Sequence, residues 1–206
     1  MIELVDDPQE WLSIPMIEAD VRFARRFYGA PMARHYMEAL TREITWRQET
    51  IVLWGKPYRQ PRLSAWYGNA GCAYTYSGMR LEPQPWTDTL LQIKEDIERA
   101  TSHSYNSVLL NLYRDERDGM GWHSDDEPEL GPQPAIASLS LGATRTFGFR
   151  HRTRKAVKPL ALPLTNGSLL VMAGDTQRYW RHAVDKEREP TGARINLTFR
   201  TILPVR

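Results

Sequence analysis

The sequence has little of several things that would mark other kinds of protein. It holds a single cysteine, Cys72, which excludes an intramolecular disulfide and a cysteine-rich zinc site. No apolar run approaches the roughly 20 residues needed to span a bilayer. The opening Met1-Ile2-Glu3-Leu4-Val5-Asp6-Asp7 is acidic, unlike the basic-then-apolar layout of a signal peptide, so the expectation is a cytoplasmic protein with no membrane partner. Nor is one charge in excess: 27 Lys and Arg face 25 Asp and Glu, a net of +2. A polyanionic partner would therefore be met by local patches. Arg59 with Arg62, and the run Arg150-His151-Arg152-Thr153-Arg154-Lys155, are candidates, and each equally suits a solvated turn. Repeats, low-complexity tracts and Gly/Ser linkers are missing too, and 206 residues suit one domain with a sizeable core.

What is present changes character along the chain. Met32 to Arg42 suits a helix, and Ile44 to Trp54 a strand ending at the turn signal Gly55-Lys56-Pro57. Pro61 to Tyr67 reads as another strand. Pro85-Trp86-Thr87-Asp88 opens a helix towards Ala100, with Leu90, Ile93 and Ile97 at helical spacing. After Tyr105, short apolar runs alternate with turn residues: Ser107 to Tyr113, Ala135 to Leu141, Thr146 to Phe149, Pro159 to Leu164, Ser168 to Met172, Trp180 to Val184, and Arg194 to Ile202. Strands so spaced imply a mostly β fold with flanking helices (α+β), built on a sandwich or jelly-roll barrel. The expected organisation is a single domain over 1–206. Residues 1–104 form an N-terminal helix-and-strand region and residues 105–206 the barrel core.

Five histidines are present: His35, His103, His123, His151 and His182. In Trp122-His123-Ser124-Asp125 an imidazole and a carboxylate stand two residues apart. In extended backbone such positions share a face, so both side chains can reach one ion. His182, within Trp180-Arg181-His182-Ala183-Val184, is a candidate third ligand from a later strand. Two imidazoles and one carboxylate leave coordination positions open, as in non-haem Fe(II) oxygenases, where a co-substrate and O2 must both reach the metal. His-X-Asp also arises often by chance. His35 and His103 lack such neighbours and suit surface or helix-flanking positions; His151, in its basic run, suits solvent or a phosphate.

The segment Arg194-Ile195-Asn196-Leu197-Thr198-Phe199-Arg200 alternates throughout. Arg194, Asn196, Thr198 and Arg200 share one face, and the step between the two arginines is roughly 20 Å of strand. Side chains reaching inward from both ends would bracket a small dicarboxylate, each guanidinium pairing with one carboxylate through two hydrogen bonds. Asn111 and Tyr113, again on one face, add donors. A dicarboxylate such as 2-oxoglutarate, chelating the metal at one end, fits this set. A half-exposed strand or a buried structural salt-bridge network fits the same alternation.

The ordered set His123-X-Asp125, His182, Arg194 and Arg200 resembles the AlkB-like dioxygenases. So do Asn111-Leu112-Tyr113, Trp122-His123-Ser124-Asp125-Asp126-Glu127-Pro128, and Ala137-Ser138-Leu139-Ser140-Leu141-Gly142-Ala143-Thr144-Arg145. The likeness runs from Pro61 to Pro204. Gln60-Pro61-Arg62-Leu63-Ser64-Ala65-Trp66-Tyr67-Gly68 with Tyr74-Thr75-Tyr76-Ser77 points to the branch of AlkB homologues two and three. The resemblance implies a double-stranded beta-helix (jelly roll) preceded by a nucleotide-recognition region. It implies Fe(II) on His123, Asp125 and His182. It puts the far carboxylate of 2-oxoglutarate on Arg194 with Asn111 and Tyr113, and the carboxylate nearest the metal by Arg200 with Asn196, Thr198 lying between the arginines.

The reaction so implied is oxidative demethylation of N-alkylated bases, of the 1-methyladenine and 3-methylcytosine type, in nucleic acid. It would consume O2 and 2-oxoglutarate, release formaldehyde, succinate and CO2, and amount to direct-reversal repair. DNA is the favoured partner, single strands fit, RNA stays open, and a monomer is expected. Tyr76, beside Tyr74 and Ser77, resembles the family's stacking aromatic, with the His123 ring on the other side of the base. Glu127 resembles the acidic residue at the exocyclic amine, with Asp126 adjacent. A rim tyrosine and a solvated loop carboxylate would read the same way. Trp54, ending Ile51-Val52-Leu53-Trp54, would wedge into a base stack or belong to a buried strand, with Lys56, Arg59 and Arg62 facing phosphates in the first case. The rival reading is a 2-oxoglutarate-dependent oxygenase acting on a protein, lipid or RNA-modification substrate. A binding module without turnover leaves the triad unexplained, and a jelly-roll zinc hydrolase leaves the arginines unexplained.

Overall fold

Strand β15, Arg194–Arg200, runs through the interior of a seven-stranded antiparallel sheet in the computed structural model, which describes residues 10–53, 55–72, 74–76 and 79–203. The sheet order is β1 (Trp11–Ser13), β2 (Asp20–Ala24), β13 (Ser168–Ala173), β10 (Ile136–Gly142), β15, β8 (Ser107–Tyr113) and β5 (Leu63–Gly68). A second sheet of four strands has the order β12 (Leu160–Leu164), β11 (Arg145–His151), β14 (Trp180–Val184) and β9 (Met120–His123). Two separate hairpins, β3 (Thr50–Leu53) with β4 (Lys56–Arg59) and β6 (Tyr74–Tyr76) with β7 (Met79–Leu81), stand outside both sheets. The architecture is mostly β with flanking helices, consistent with a jelly roll.

The alternation in β15 does not come from one solvent face, because all seven of its residues are buried. Ile195, Leu197 and Phe199 are fully buried in a core shared with helix α1 (Ala30–Glu43) and helix α2 (Asp88–Thr101). Burying each such side chain stabilises the fold by about 1.5–3 kcal/mol. The opposite face turns its polar residues towards the second sheet. The helices brace the first sheet through Ala33, Tyr36 and Leu40 of α1 and Leu90, Ile93 and Ile97 of α2. Helix α2 starts where Thr87 Oγ1 accepts the Leu90 N–H at 3.2 Å, and it ends at Ser102 in the left-handed region, φ 59°. Among the described residues no helix is long and apolar enough to cross a membrane.

Two expectations are corrected. Ile44 to Trp54 is not one strand: among its described residues only Thr50–Leu53 form a strand, and Arg47 makes an isolated bridge to Ser64 instead. The chain leaving α1 is used to tie down the start of β5, which breaks the run. The division at 104/105 is also crossed. Strand β2 pairs with β13 and β5 pairs with β8, so the N-terminal region supplies strands to the barrel itself. One glycine is obligatory to this joining: Gly167, φ +77°, leaves no room for a Cβ against the Tyr28 carbonyl just after β2.

Candidate active site

Antiparallel pairing of β9 with β14 sets His123 directly opposite His182, with their ring centroids 4.2 Å apart. Asp125 lies just past the end of β9, outside the extended run that the spacing suggested. Three bonds bring it back. Its N–H donates to Oε1 of buried Gln177 at 3.0 Å, Ser124 Oγ donates to the Trp180 carbonyl at 2.9 Å, and Arg200 Nη2 donates to Asp125 Oδ1 at 2.8 Å. His123 Nε2 is then 3.8 Å from Asp125 Oδ1, and one ligand atom from each of His123, Asp125 and His182 lies within 4.8 Å of the others.

The protonation states suit a cation. His123 Nδ1 is 2.8 Å from the Gly121 carbonyl, an acceptor only, so Nδ1 carries the proton and Nε2 keeps its lone pair. Burial lowers the His123 pKa, with Asp125 opposing. Burial, then the neighbouring His123, pushes His182 down to about 3. Burial pushes Asp125 the other way, but Arg200, His182 and His123 together hold it below the usual carboxylate range. Two neutral imidazoles and one carboxylate are the donors an Fe(II) site with open positions uses.

The polar face of β15 is fixed rung by rung. Arg194 is opposite Tyr113 on β8 and Gly142 on β10; Asn196 is opposite Asn111 and Ser140; Thr198 is opposite Leu109 and Ser138. Between the sheets lies a narrow cavity with His123, Asp125, His182, Asn111, Tyr113 and Arg200 in its wall. Asn111 Oδ1 accepts from Arg62 Nε at 2.8 Å, which turns the amide nitrogen of Asn111 to other acceptors. Asn196 behaves differently. Its amide donates to Ser138 Oγ at 2.8 Å and to the Leu139 carbonyl at 3.1 Å, and its oxygen accepts from Thr198 Oγ1 at 3.0 Å. Asn196 and Thr198 therefore order the cavity wall.

Arg194 is 1% exposed and donates from Nη2 to Ser140 Oγ at 2.9 Å, while its Nε and Nη1 have no hydrogen-bond partner. Its guanidinium lies 5.1 Å from the Tyr113 ring centroid, and Arg145 lies 5.6 Å from the same ring. Burial lowers the Arg194 pKa; Tyr113 opposes this and Arg145 adds to it. A buried cation with orphaned donors and a second cation nearby is costly unless an anion joins it.

Residues 20–200 match the 2OG-Fe(II) oxygenase superfamily. The chain belongs to that superfamily. Members use Fe(II), 2-oxoglutarate and O2, and the residues here fit the first two: a His–Asp–His donor set that leaves positions open and, at the far end of β15 from Arg200, the orphaned guanidinium donors of Arg194 for a carboxylate. Within the superfamily the chain falls in the AlkB-homologue branch. It is 49% identical over 186 residues to alpha-ketoglutarate-dependent dioxygenase alkB homolog 3 of Bos taurus, covering 86% of this chain and 64% of that protein. With the Homo sapiens homolog 3 the identity is 47% over the same shares. With DNA oxidative demethylase ALKBH2 of Homo sapiens it is 38% over 185 residues, 85% of this chain and 71% of that protein. The chain thus spans less than two thirds of the homolog 3 proteins. The solved structure of OsALKBH1 superimposes with a TM-score of 0.63 at 17% identity, covering 93% of this chain and all of that one, which supports the oxygenase fold.

The remaining expected site residues of this oxygenase are distributed unevenly. Arg62 does not face solvent: it is 4% exposed and bonds Asn111, so its place is behind the co-substrate wall and a surface phosphate is beyond its reach. Lys56 and Arg59 of β4 are exposed. Glu127 is half-buried two residues past Asp125, at the start of a short 3-10 turn, Pro128–Leu130. Asp126 is exposed and pairs with Arg152 at 2.6 Å. Tyr74 and Tyr76 lie on β6, while Trp54 and Ser77 fall outside the described residues. Sequence reasoning missed Gln177, which aims Asp125, and Arg145. Arg145 is 1% exposed and donates to the carbonyls of Asp115, Asp118 and Asp185 at 3.3, 2.8 and 2.5 Å, tying together the loops after β8 and β14 behind Tyr113. Its only signal was membership of the string that ends Ala143-Thr144-Arg145.

Proposed function

We propose that this oxygenase oxidatively demethylates N-alkylated bases, of the 1-methyladenine and 3-methylcytosine type, in nucleic acid. Arg194 carries the co-substrate half of the reading: a buried guanidinium with two orphaned donor nitrogens matches one carboxylate of 2-oxoglutarate. The likeness to homolog 3 and to the DNA oxidative demethylase ALKBH2 supports the substrate half. DNA is the favoured substrate, single strands included, and the working unit is a monomer.

Fe(II), when bound, supplies O2 activation coupled to oxidative decarboxylation of 2-oxoglutarate. The chain's own residues prepare for this. His123 and His182 present lone pairs, and Asp125 is held as a carboxylate by Arg200. Arg194, with Asn111 and Tyr113, grips the far carboxylate and so aims the keto-acid end at the metal. Phe147 stacks on His182 at 5.1 Å and, with Leu109 and Met172 in the cavity wall, makes that side apolar and keeps water from it. Outside the metal, the partly exposed ring of His123 and the carboxylate of Glu127 are disposed to receive a flipped cationic base, for which a methylated pairing edge lowers the cost of leaving the stack.

Anaerobically reconstituted Fe(II) protein, given 2-oxoglutarate, O2 and a 3-methylcytosine oligonucleotide, should release formaldehyde and lose the methyl mass. Asp125→Ala should abolish both. Succinate without demethylation would transfer the oxygenase to another substrate class, such as a protein. Neither product from iron-loaded protein would overturn the catalytic reading.

A further inference from the structure

The outer face of the four-stranded sheet carries a cluster that the catalytic cavity does not use. On β9, Trp122 alternates with the inward His123 and so emerges on the other side. Its indole reaches across β14 to β11: a Cβ on Gly148 would meet Trp122 Cη2 at 2.9 Å. Gly148 and its cross-strand partner Ala183 are small enough to let the ring lie flat there. The Arg150 guanidinium is stacked 4.9 Å from the indole centroid. Directly opposite Arg150, in the β11–β14 register, is Arg181, and both are exposed.

Like charges set directly opposite on paired strands repel, and proteins usually quench them with a carboxylate. Three other arginines of this chain have such a carboxylate. Arg152 is paired with Asp126 at 2.6 Å, Arg154 with Glu18 at 2.8 Å and Arg114 with Asp118 at 2.8 Å. Arg150 and Arg181 have no ion pair among the described residues. Two unquenched guanidiniums, one of them held in place by a half-buried indole, suit the backbone of a polynucleotide strand, to which they offer forks for phosphate oxygens. The cluster also abuts the active-site rim. Trp122 precedes the ligand His123, and Arg152, two residues beyond Arg150, pairs with the neighbour of Asp125.

We propose that Trp122, Arg150 and Arg181 form a second contact surface for a nucleic-acid strand, outside the catalytic cavity, gripping the sugar-phosphate backbone of a strand whose damaged base is in the site. It extends the reading of the enzyme as a nucleic-acid demethylase and depends on it for the identity of the strand. The surface makes the enzyme sensitive to strand length: a short methylated fragment reaches only the cavity, and a long one reaches both.

The test compares the protein with its Arg150→Gln/Arg181→Gln double variant on a methylated trinucleotide and on a methylated single strand of roughly 25 nucleotides, with anisotropy on the unmethylated strand over a salt series. On the long strand, KM should rise about tenfold with kcat unchanged, and the log–log salt slope should become shallower by about 1.4, or 0.7 for each lost phosphate contact. Turnover of the trinucleotide should not change, and Arg150→Lys/Arg181→Lys should restore most of the slope. Equal losses on both lengths would mean that the pair supports the fold or the cavity, and would overturn the proposal. So would unchanged binding of the long strand, including the case in which binding of polyglutamate falls instead and marks an acidic protein as the partner. If the parent bound the long strand with an arginine-dependent slope yet demethylated neither substrate, the surface would stand and the demethylase reading would fall.

Discussion

The two arginines that end the inward face of β15 are alike in sequence, burial and orientation, yet they are built as opposites. Arg200 has its anion supplied by the protein: Asp125 Oδ1 accepts from it at 2.8 Å, and both side chains are buried. Arg194 has a hydroxyl, an aromatic ring and a second guanidinium around it, and no carboxylate partner among the described residues. The first is an ion pair supplied within the protein, and it also orients a candidate metal ligand. The second is a half-finished one whose missing member must arrive with a ligand. A buried charge left incomplete by its own fold is a stronger pointer to a binding site than a complete one, because folding gains nothing from the incomplete arrangement.

That contrast breaks most readily at Arg200. Arg200→Met strands the Asp125 carboxylate in the interior and should cost about 3–5 kcal/mol of unfolding free energy in urea titrations of the metal-free protein. Arg194→Met removes a charge that nothing neutralises, so the same titration should show no loss of stability, or a gain. A loss as large as that of Arg200→Met would show that Arg194 is structurally paired after all. The ligand-bound state should reverse the order. Adding 2-oxoglutarate with a redox-inert divalent cation should raise the melting temperature of the parent, and Arg194→Met should need about 100-fold more co-substrate for the same rise, the loss of about 2.7 kcal/mol in charge-assisted hydrogen bonds.

A smaller effect sharpens the comparison from the loop behind Tyr113. Asp118 is buried, which pushes its pKa up, but the side chain and backbone N–H of Arg114 outweigh this and hold it below the usual range. Its pKa is depressed on folding, so its contribution is present above the unfolded-state value and is lost as pH falls through the folded one. Asp118→Asn should therefore cost about 1 kcal/mol at neutral pH, limited because Arg114 is half exposed. The gap to the parent should close in acid, and a gap independent of pH would show that packing is responsible.

Much of this was legible in the chain. His123-X-Asp125 and the strict alternation from Arg194 to Arg200 are local patterns, and local patterns survive in one dimension. The barrel strands after Ser107 announce themselves because turn residues bracket apolar runs. What stayed hidden depended on partners distant in sequence. Strand β2 is five residues with Arg22 in the middle, and its Val21 and Phe23 are buried only because β13 lies alongside. Arg62 looks like a surface charge until Asn111, 49 residues away, is set against it. Arg145 is still harder: three of its acceptors are main-chain carbonyls, which have no residue identity to read. The alternation of β15 was visible but its cause was not, since a polar face towards water and a polar face towards a ligand have the same period.

Strand β9 closes the account of the metal site from another side. It is four residues long, lies at the edge of its sheet and has one hydrogen-bonded neighbour, β14, with a register shift in the pairing. Such a strand is the kind of segment that opens first in the native state. Yet it ends on one candidate ligand, His123, and leads directly into a second, Asp125, while the third, His182, belongs to the interior neighbour. An ion held by all three is therefore a cross-link between an edge and a core, and its binding energy goes into keeping the edge closed. Metal release and fraying of β9 become one event with two readouts, and the lifetime of the ion in the site is set by how often a four-residue strand lets go.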